Sequence, residues 1–404
     1  MTEPIQLVEQ HHIKSSDTRF GVIDKATFAS KNLYNKANYI IRQEFINNGR
    51  WIRYNQLAKE LKTSDEFKAL PAKVSQQVLK QLDKSWKSFF AAIKAWKATP
   101  EKFFSRPKLP HYKHKTDGRF MLIYTEQAIS KPALQNGIIK PSQLGIAIQT
   151  KQSEVNQVRI VPRKGHYVVE VIYTVRPEVN HNLDANLVAG IDIGLSNLAT
   201  VTSNKQGFQP FIINGKPLKS INQFYNKHKA ELQSQSPNRT TKRMRDLTNK
   251  RNRKVKYYLH VASRQIIDYL VSEGIGVLVI GRNKNWKQEI NIGKVNNQNF
   301  VSIPFGQFVQ MLEYKAKLVG VQVILQEESY TSKCSFLDDE PIKKHKQYQG
   351  KRVKRGLFRA SDGQLINADV NGSLNITKKA VPKAFTGERD RGYVVYPLRV
   401  TLHK

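Results

Sequence analysis

Apolar residues recur along this chain with two different periods, and the points where one gives way to the other divide it. After an extended start, the helical period sets in. Leu33, Ala37, Ile40, Ile41 and Phe45 share one face over residues 27–45, and residues 51–61 continue as a shorter helix. Residues 72–96 predict a long helix, in which Val74, Val78, Leu82, Trp86, Phe89, Phe90 and Ile93 step by three or four. That aromatic stripe reads as helix-packing core. Lys73, Lys80, Lys84, Lys87 and Lys94 lie on the other faces, within reach of a backbone phosphate. From Phe120 to Val175 the period drops to two: MLIY, GIAIQT, VRIVP and HYVVEVIYTV are short strands punctuated by Gly137, Pro141, Gly145 and Gly165. The pattern predicts a small β-barrel from residues 1–26 and 104–180, with residues 27–103 as a helical insertion. A polar, aperiodic boundary follows at residues 176–187.

The second half predicts three antiparallel strands at 188–193, 198–202 and 208–213, then a helix at 218–233. Pro237 precedes a long helix at 239–272. A strand at 277–280, a helix at 305–318 stopped by Gly320, a strand at 321–325 and a last helix at 370–380 complete it. Residues 338–366 read as irregular, and 381–404, interrupted by Pro and Gly, as a mobile tail. Three antiparallel strands followed by alternating helices and strands is the order of an RNase H-like mixed sheet. The fold class expected is therefore multidomain α+β and α/β: an N-terminal barrel with its helical insertion, then an RNase H-like domain at 181–335 and 365–380, interrupted by a basic loop at 336–364.

Charge narrows the partners. Among 404 residues, 67 Lys and Arg stand against 32 acids, a net charge of +35. Such a field opposes compact folding and calls for a polyanion. No run of about 18 apolar residues is present to span a bilayer, and no amphipathic anchor stands out, so nucleic acid is the expected partner and a membrane is not. The first residues, MTEPIQLVEQHH, carry no apolar signal core. A cytoplasmic, nucleoid-associated protein is expected, with a monomer favoured. The basic residues concentrate in three places. FFSRPKLPHYKHK interleaves Arg106, Lys108, Lys113 and Lys115 with Phe104, His111 and Tyr112, a mixture suited to phosphates and stacked bases. Between Arg239 and Lys256 nine Lys and Arg accompany one acid, Asp246; they include Arg239, Lys242, Arg243, Arg245, Lys250, Arg251, Arg253 and Lys254. Between Lys343 and Arg359 there are eight and no acid.

Against this background individual acids stand out. In VAGIDIGLSNLATVT an apolar run ends on Asp192, and INADVNGSLNI opens the last helix with Asp369. Either alone is an ordinary turn or cap. Together, on a rigid strand and a helix start, they would be fixed ligands of a divalent ion. In two-metal phosphodiester hydrolysis one ion activates water and the other stabilises the leaving oxygen. Hard oxygen ligands suit Mg2+, or Mn2+ in its place.

GIDIGLSNLATV, YTSKC and NADVNGSLNI resemble the three RuvC segments of the TnpB family, transposon-encoded OrfB-type proteins related to compact type V CRISPR effectors; FSRPKLP is similar to that family as well. The resemblance spans nearly the whole chain. It implies a wedge barrel, a helical recognition insertion and a RuvC-like nuclease domain. It also implies a guide RNA from the transposon end, and cutting of double-stranded DNA beside a short flanking motif. Base pairing then reads the sequence, and the protein supplies basic channels. A nuclease-dead RNA-guided repressor, or a transposase accessory protein, is the alternative.

Two departures bear on activity. The family usually places its middle glutamate at the end of the fourth strand, where this chain has Gly281. In a rearranged subset the acid precedes the YTS-like motif, where this chain has Glu327 and Glu328. Spacing from Ser332 and Lys333 favours Glu328, with Glu327 as the alternative and Glu289 a weaker candidate. Asp192, Glu328 and Asp369 are thus the expected catalytic and metal-binding set. The family's zinc ribbon is also missing. Cys334 is the one cysteine in the chain, and with His345 it is too few for structural zinc, so no zinc is expected and Cys334 reads as a buried apolar residue. Arg355 and Arg359 would clamp a phosphate or face a backbone. Asn371 and Ser373 would shape the start of the last helix. Trp286 would stack on a base or pack in the core.

Overall fold

The structure, a computed structural model, describes residues 3–177, 180, 182–237, 239–283, 293–385 and 396–402. Glu289 and Trp286 lie outside the described residues. The chain forms two compact units, Gln6–Val175, and Arg176–Lys404 with Met1–Ile5.

The first unit starts with β1 (Ile5–Lys14), whose side chains alternate between more and less exposed. Helix α1 (Phe20–Asn48) begins well before the residue 27 that periodicity predicts. Asp17 explains this: its carboxylate accepts the Arg19 backbone N–H at 3.0 Å and its carbonyl accepts that of Phe20, making a turn that feeds the helix. The helix stops at Gly49, in the left-handed region at φ 67°. Helices α2 (Tyr54–Leu61), α3 (Asp65–Lys68) and α4 (Ala72–Ala98) follow. Trp86 of α4 is fully buried among Phe45, Phe89 and Phe90 and donates its indole N–H to Asn38 at 3.1 Å, so the aromatic stripe is core. Strand β2 (Leu122–Thr125), the short helix α5 (Lys131–Gln135), β3 (Ile138–Ile139), β4 (Ile148–Gln149), β5 (Gln157–Arg163) and β6 (His166–Val175) complete the unit. The expected barrel is replaced by an open sheet in the order β1-β6-β5-β2, with β3 and β4 as a separate ribbon. Gly137 and Gly145, both at positive φ, and Pro141 cut the region between β2 and β5 into pieces of two residues, too short to close a barrel.

The second unit carries a sheet in the order β11-β10-β7-β8-β9-β15. Its strands and helices in chain order are β7 (Asp184–Asp192), β8 (Asn197–Ser203), β9 (Phe211–Asn214), α6 (Lys216–Gln235), α7 (Lys242–Ser272), β10 (Ile275–Gly281), α8 (Lys294–Ser302), α9 (Phe305–Leu318) and β11 (Gln322–Gln326). There follow β12 (Lys351–Lys354), β13 (Leu357–Arg359), β14 (Leu365–Asn367), α10 (Ala368–Ala380) and β15 (Leu398–Val400). Strands β7, β8 and β9 are antiparallel, whereas β10 runs parallel to β7 and β11 parallel to β10. Two findings differ from the sequence reading. The stretch read as irregular holds the small sheet β12-β13-β14, and β15 lies parallel to β9 within the region read as a mobile tail. All four strands, of three or four residues each, are too short for an alternation pattern to reveal them.

Alternation along the parallel strands positions the site. Ile191, Leu278 and Ile280 point to one face, into the core with Leu259, Ile266, Phe308 and Leu312 of α7 and α9. Val188, Val277 and Val279 point to the other, against Ile376 of α10. Continuing the period of two along each strand puts Gly190 and Asp192 of β7, and Gly281 of β10, on the α10 face.

Candidate active site

Asp192 is the last residue of β7 and is half-buried. Helix α10 approaches this strand end closely because both surfaces are small. Gly190 faces Ser373 and Thr377, and Ser373 donates its hydroxyl to the Gly190 carbonyl at 2.9 Å. A Cβ on Gly372 would lie 2.9 Å from Asp192 Oδ2, so only glycine leaves that carboxylate room. Burial, and the like charges of Glu328 and Asp369, push the Asp192 carboxyl well above the ordinary aspartate range, with Arg352 partly opposing them.

Glu328 lies two residues beyond the end of β11. Strand pairing sets Gly281 opposite Gln326, and the Glu328 carboxylate folds back over Gly281: a Cβ there would collide with Oε1 and lie 3.0 Å from Cδ. Asn283 holds it, accepting the Glu328 backbone N–H at 3.0 Å and donating to Oε2 at 3.1 Å. Oε1 is buried and has no hydrogen-bond partner among the described residues. Burial, then Glu327, raises the Glu328 carboxyl to about 7. Glu327 turns the other way, to Ser329 and to Lys379 Nζ at 2.8 Å, and these bonds hold its carboxyl below the usual range.

Asp369 stands in the first turn of α10, which Asn367 caps by accepting the N–H groups of Asp369 and Val370. Its carboxylate accepts from Asn197 Nδ2, and Arg352 Nη2 lies 3.3 Å away. Asn197 in turn accepts from Arg399 Nη1 of β15 at 3.0 Å. Arg355 and Lys219 both donate to Ser196 Oγ, at 3.3 and 2.6 Å. Four cations therefore line this edge. Sequence reasoning named Arg355 but not Arg352, Arg399 or Lys219. Arg359, which it did name, is exposed on β13 and makes no contact with these acids among the described residues. Nothing within the uniformly basic run at 343–359 marks Arg352 as the residue that faces an acid. Among the described residues no three His, Cys, Asp or Glu side chains gather tightly enough to hold a single ion. Glu328 and Asp369 lie close enough to Asp192 to raise its carboxyl, without the three forming a closed cage among the described residues.

One smaller expectation changes. Asn371 and Ser373 do not shape the helix start. Asn371 ties α10 to the YTSKC turn, through the Cys334 carbonyl and the Phe336 N–H, both at 2.9 Å, and Ser373 ties it to β7 and β8. Cys334 is fully buried, and its thiol lies 3.5 Å from the Pro341 carbonyl.

The three basic stretches differ in freedom. In 103–115, α1 grips the backbone: Lys31, Asn35, Asn38 and Arg42 donate to the carbonyls of Lys115, Lys113 and Pro110 at 2.7 to 3.0 Å. Arg106, Lys108, Tyr112 and Lys115 are left exposed, Phe104 wholly so, while Lys113 packs over Tyr34 and Phe120. Near and along α7, Arg239, Lys242, Arg243, Lys250, Arg253 and Lys254 are exposed and Arg245 partly so. Arg251 differs from them: it ties Asn222 Oδ1, at 2.8 Å, to the Ser302 carbonyl and is an internal brace.

Residues 166–287 match the family model described as a probable transposase, OrfB_IS605, and residues 305–376 match the Cas12f1-like TNB domain. The chain is 24% identical over 407 residues to the TnpB-like protein ORF457 of Acidianus two-tailed virus, covering 87% of this chain and 82% of that protein. It is 26% identical over 237 residues to the CRISPR-associated endodeoxyribonuclease Cas12f2 of a Micrarchaeota archaeon, covering 55% of this chain and 42%, less than half, of that relative. Among solved structures it resembles the cryo-EM structure of a Cas12f1–sgRNA–target DNA complex, with a TM-score of 0.56 and 14% identity over 88% of this chain and 82% of that one. That likeness is one of fold, a mixed α+β architecture.

Proposed function

We propose, for a chain that belongs to the TnpB family, that it is an RNA-guided, divalent-metal-dependent DNA endonuclease of a mobile element. One observation carries the reading. In a chain with about two basic residues for each acid, Asp192 and Glu328 lie near each other, both half-buried, and neither forms an ion pair among the described residues. An all-oxygen donor set with a buried, unpartnered carboxylate oxygen fits a hard cation. Asp192, Glu328 and Asp369 would hold Mg2+ or Mn2+. Such ions, when bound, lower the pKa of an attacking water and stabilise a leaving phosphate oxygen. Two ions that each take some of the acids need no three-acid cage around one point. The chain's own residues do the rest. Asn283 orients Glu328, and Asn197 orients Asp369. Arg355 and Lys219, drawn together at Ser196, supply positive charge for the scissile phosphate, and a guanidinium can grip it with two parallel bonds.

The named relatives support the partners. One is by name an endodeoxyribonuclease, and the solved neighbour holds sgRNA and target DNA. The matching partners here are a guide RNA from the transposon end and double-stranded DNA beside a short flanking motif. The exposed cations of 103–115 and of α7 are the phosphate-facing surfaces. A second reading, a repressor that binds guided DNA and does not cut, draws on the lack of a three-acid cluster among the described residues. One experiment separates them. The protein is purified with its bound RNA, the RNA is sequenced, and a supercoiled plasmid carrying the matched target is added with Mg2+. A discrete RNA and guide-dependent cutting support the nuclease. Tight guided binding with no cutting at any Mg2+ concentration establishes the repressor, and random cellular RNA overturns both.

A further inference from the structure

Gly281 ends β10 at a place where its backbone does not require glycine, since it is absent from the positive-φ glycines of the chain. What the position requires is space. A side chain there would meet Glu328 Oε1 and would come within 2.7 Å of Ile376 Cδ1. Asn283, two residues on, binds Glu328 twice, through its backbone N–H and through Oε2. One amide thus fixes both the position of the residue and the rotation of its carboxylate. Asn283 leaves Oε1, the oxygen over Gly281, as the one with no partner among the described residues. Gly281 and Asp192 end adjacent parallel strands, since Ile280 pairs with Ile191, so an acid seated over Gly281 stands beside Asp192.

We propose that Gly281 and Asn283 are positioning residues: together they form a seat on β10 that turns the Glu328 carboxylate toward Asp192 and presents Oε1 to a divalent cation. The proposal rests on the metal-dependent reading above and deepens it. It has a specific corollary. The seat holds one carboxylate, which can be delivered from residue 328 or from residue 281, but not from both.

The test uses the full chain with Mn2+ alone as probe, reading Mn2+ affinity by calorimetry and the thermal midpoint by circular dichroism. Replacing the partner that orients a metal-binding side chain costs about 10- to 100-fold in affinity, so Asn283→Ala is expected to weaken Mn2+ binding by that factor with its midpoint nearly unchanged. A residue that only stabilised the fold would lower the midpoint and leave the affinity of the folded protein alone. Glu328→Ala is expected to bind as weakly as Asn283→Ala or more so. Gly281→Glu, which crowds two carboxylates into the seat, is expected to lose binding as well. The double variant Gly281→Glu/Glu328→Ala is expected to recover to within about tenfold of wild type. A folded double variant no better than Glu328→Ala overturns the seat. If the double variant does not fold, Asn283→Ala decides: wild-type Mn2+ affinity there overturns the proposal. Wild-type protein that binds no Mn2+ overturns the metal reading and the seat with it, so the two failures are told apart.

Discussion

The two units differ in how they treat their partly buried acids, and the difference lies at Asp192 and Glu328. In Gln6–Val175 the partly buried carboxylates are met by cations: Asp17 by Arg19 and Asp24 by Arg119 at 2.6 and 2.7 Å, Glu66 by Lys36 at 2.6 Å, Glu170 by Arg159 at 2.9 Å. Arg19 holds Asp17 down to about 2, and Arg119 holds Asp24 below its usual range. In Arg176–Lys404, Asp192 and Glu328 have no ion-pair partner among the described residues. Burial, with Glu328 and Asp369 nearby, raises the Asp192 carboxyl, and burial, with Glu327 nearby, raises that of Glu328. The contrast within one dipeptide is sharper still. Glu327 takes Lys379, and Glu328, next in the chain, takes an amide. A compensating charge withheld where cations abound is what the proposed divalent-cation site would call for.

The largest effect is expected where the contrast is greatest. Asp192→Asn should cut guided DNA cleavage by about 10^3-fold or more, the scale of removing one preorganised electrostatic group. It should also raise stability, by about 1 kcal/mol, because it relieves like-charge repulsion in a poorly solvated site. Asp24→Ala should do the reverse to its unit and cost about 2 kcal/mol, since Arg119 and Tyr167 lose their acceptor. Cleavage assays and thermal unfolding of the two variants check the pair. A drop in the midpoint of Asp192→Asn equal to that of Asp24→Ala removes the distinction between the units.

How much of this the sequence carries depends on distance along the chain. Helix α9 has the bounds its apolar period predicts, and Asp192 and Asp369 stand out because each ends or opens a strongly patterned element. Those signals are local. The seat of Glu328 joins residues 45 apart in sequence, and the bond from Arg399 to Asn197 spans 202, so neither leaves a periodic trace. Gly281 shows the limit well. By the family resemblance alone it is a missing acid. In three dimensions it is the space an acid from the neighbouring strand fills. The barrel was misread for a related reason: alternation marks a strand, but it does not say whether the pairing ladder closes.

A smaller effect is expected at the edge of the acidic pocket. Arg352 lies 3.3 Å from Asp369 and is half exposed, a pair worth about 0.5 kcal/mol. Removing it should release Asp369 for a divalent ion. Arg352→Gln is therefore expected to bind Mn2+ roughly twofold more tightly in a calorimetric titration, by the same 0.5 kcal/mol. Weaker binding would mean that Arg352 supports the site and does not compete for it.

A last effect tests whether the second unit tolerates an uncompensated cation as it does an uncompensated acid. Lys315 of α9 is 6% exposed and forms no ion pair among the described residues. Its ammonium donates to the His260 carbonyl at 2.6 Å and the Ser263 hydroxyl at 2.8 Å of α7. Burial, with Arg264 nearby and Asp268 partly opposing, pushes it down to about 8. The same surroundings, including Lys315 itself, push His260 down to about 4. A lysine whose folded pKa lies below its unfolded one weakens the fold at every pH where both states are charged. Above pH 8 the folded state releases its proton while the unfolded state keeps it up to about 10.4. The unfolded chain then binds more protons, and stability gains with pH through that window. Other lysines and tyrosines titrate there too, so the measurement is a difference. The midpoint of wild type relative to that of Lys315→Met should rise by about 3 °C between pH 7 and pH 10. A difference that stays constant across the window would mean that Lys315 keeps its proton, and that the carbonyl and hydroxyl of α7 stabilise the buried charge as well as water does.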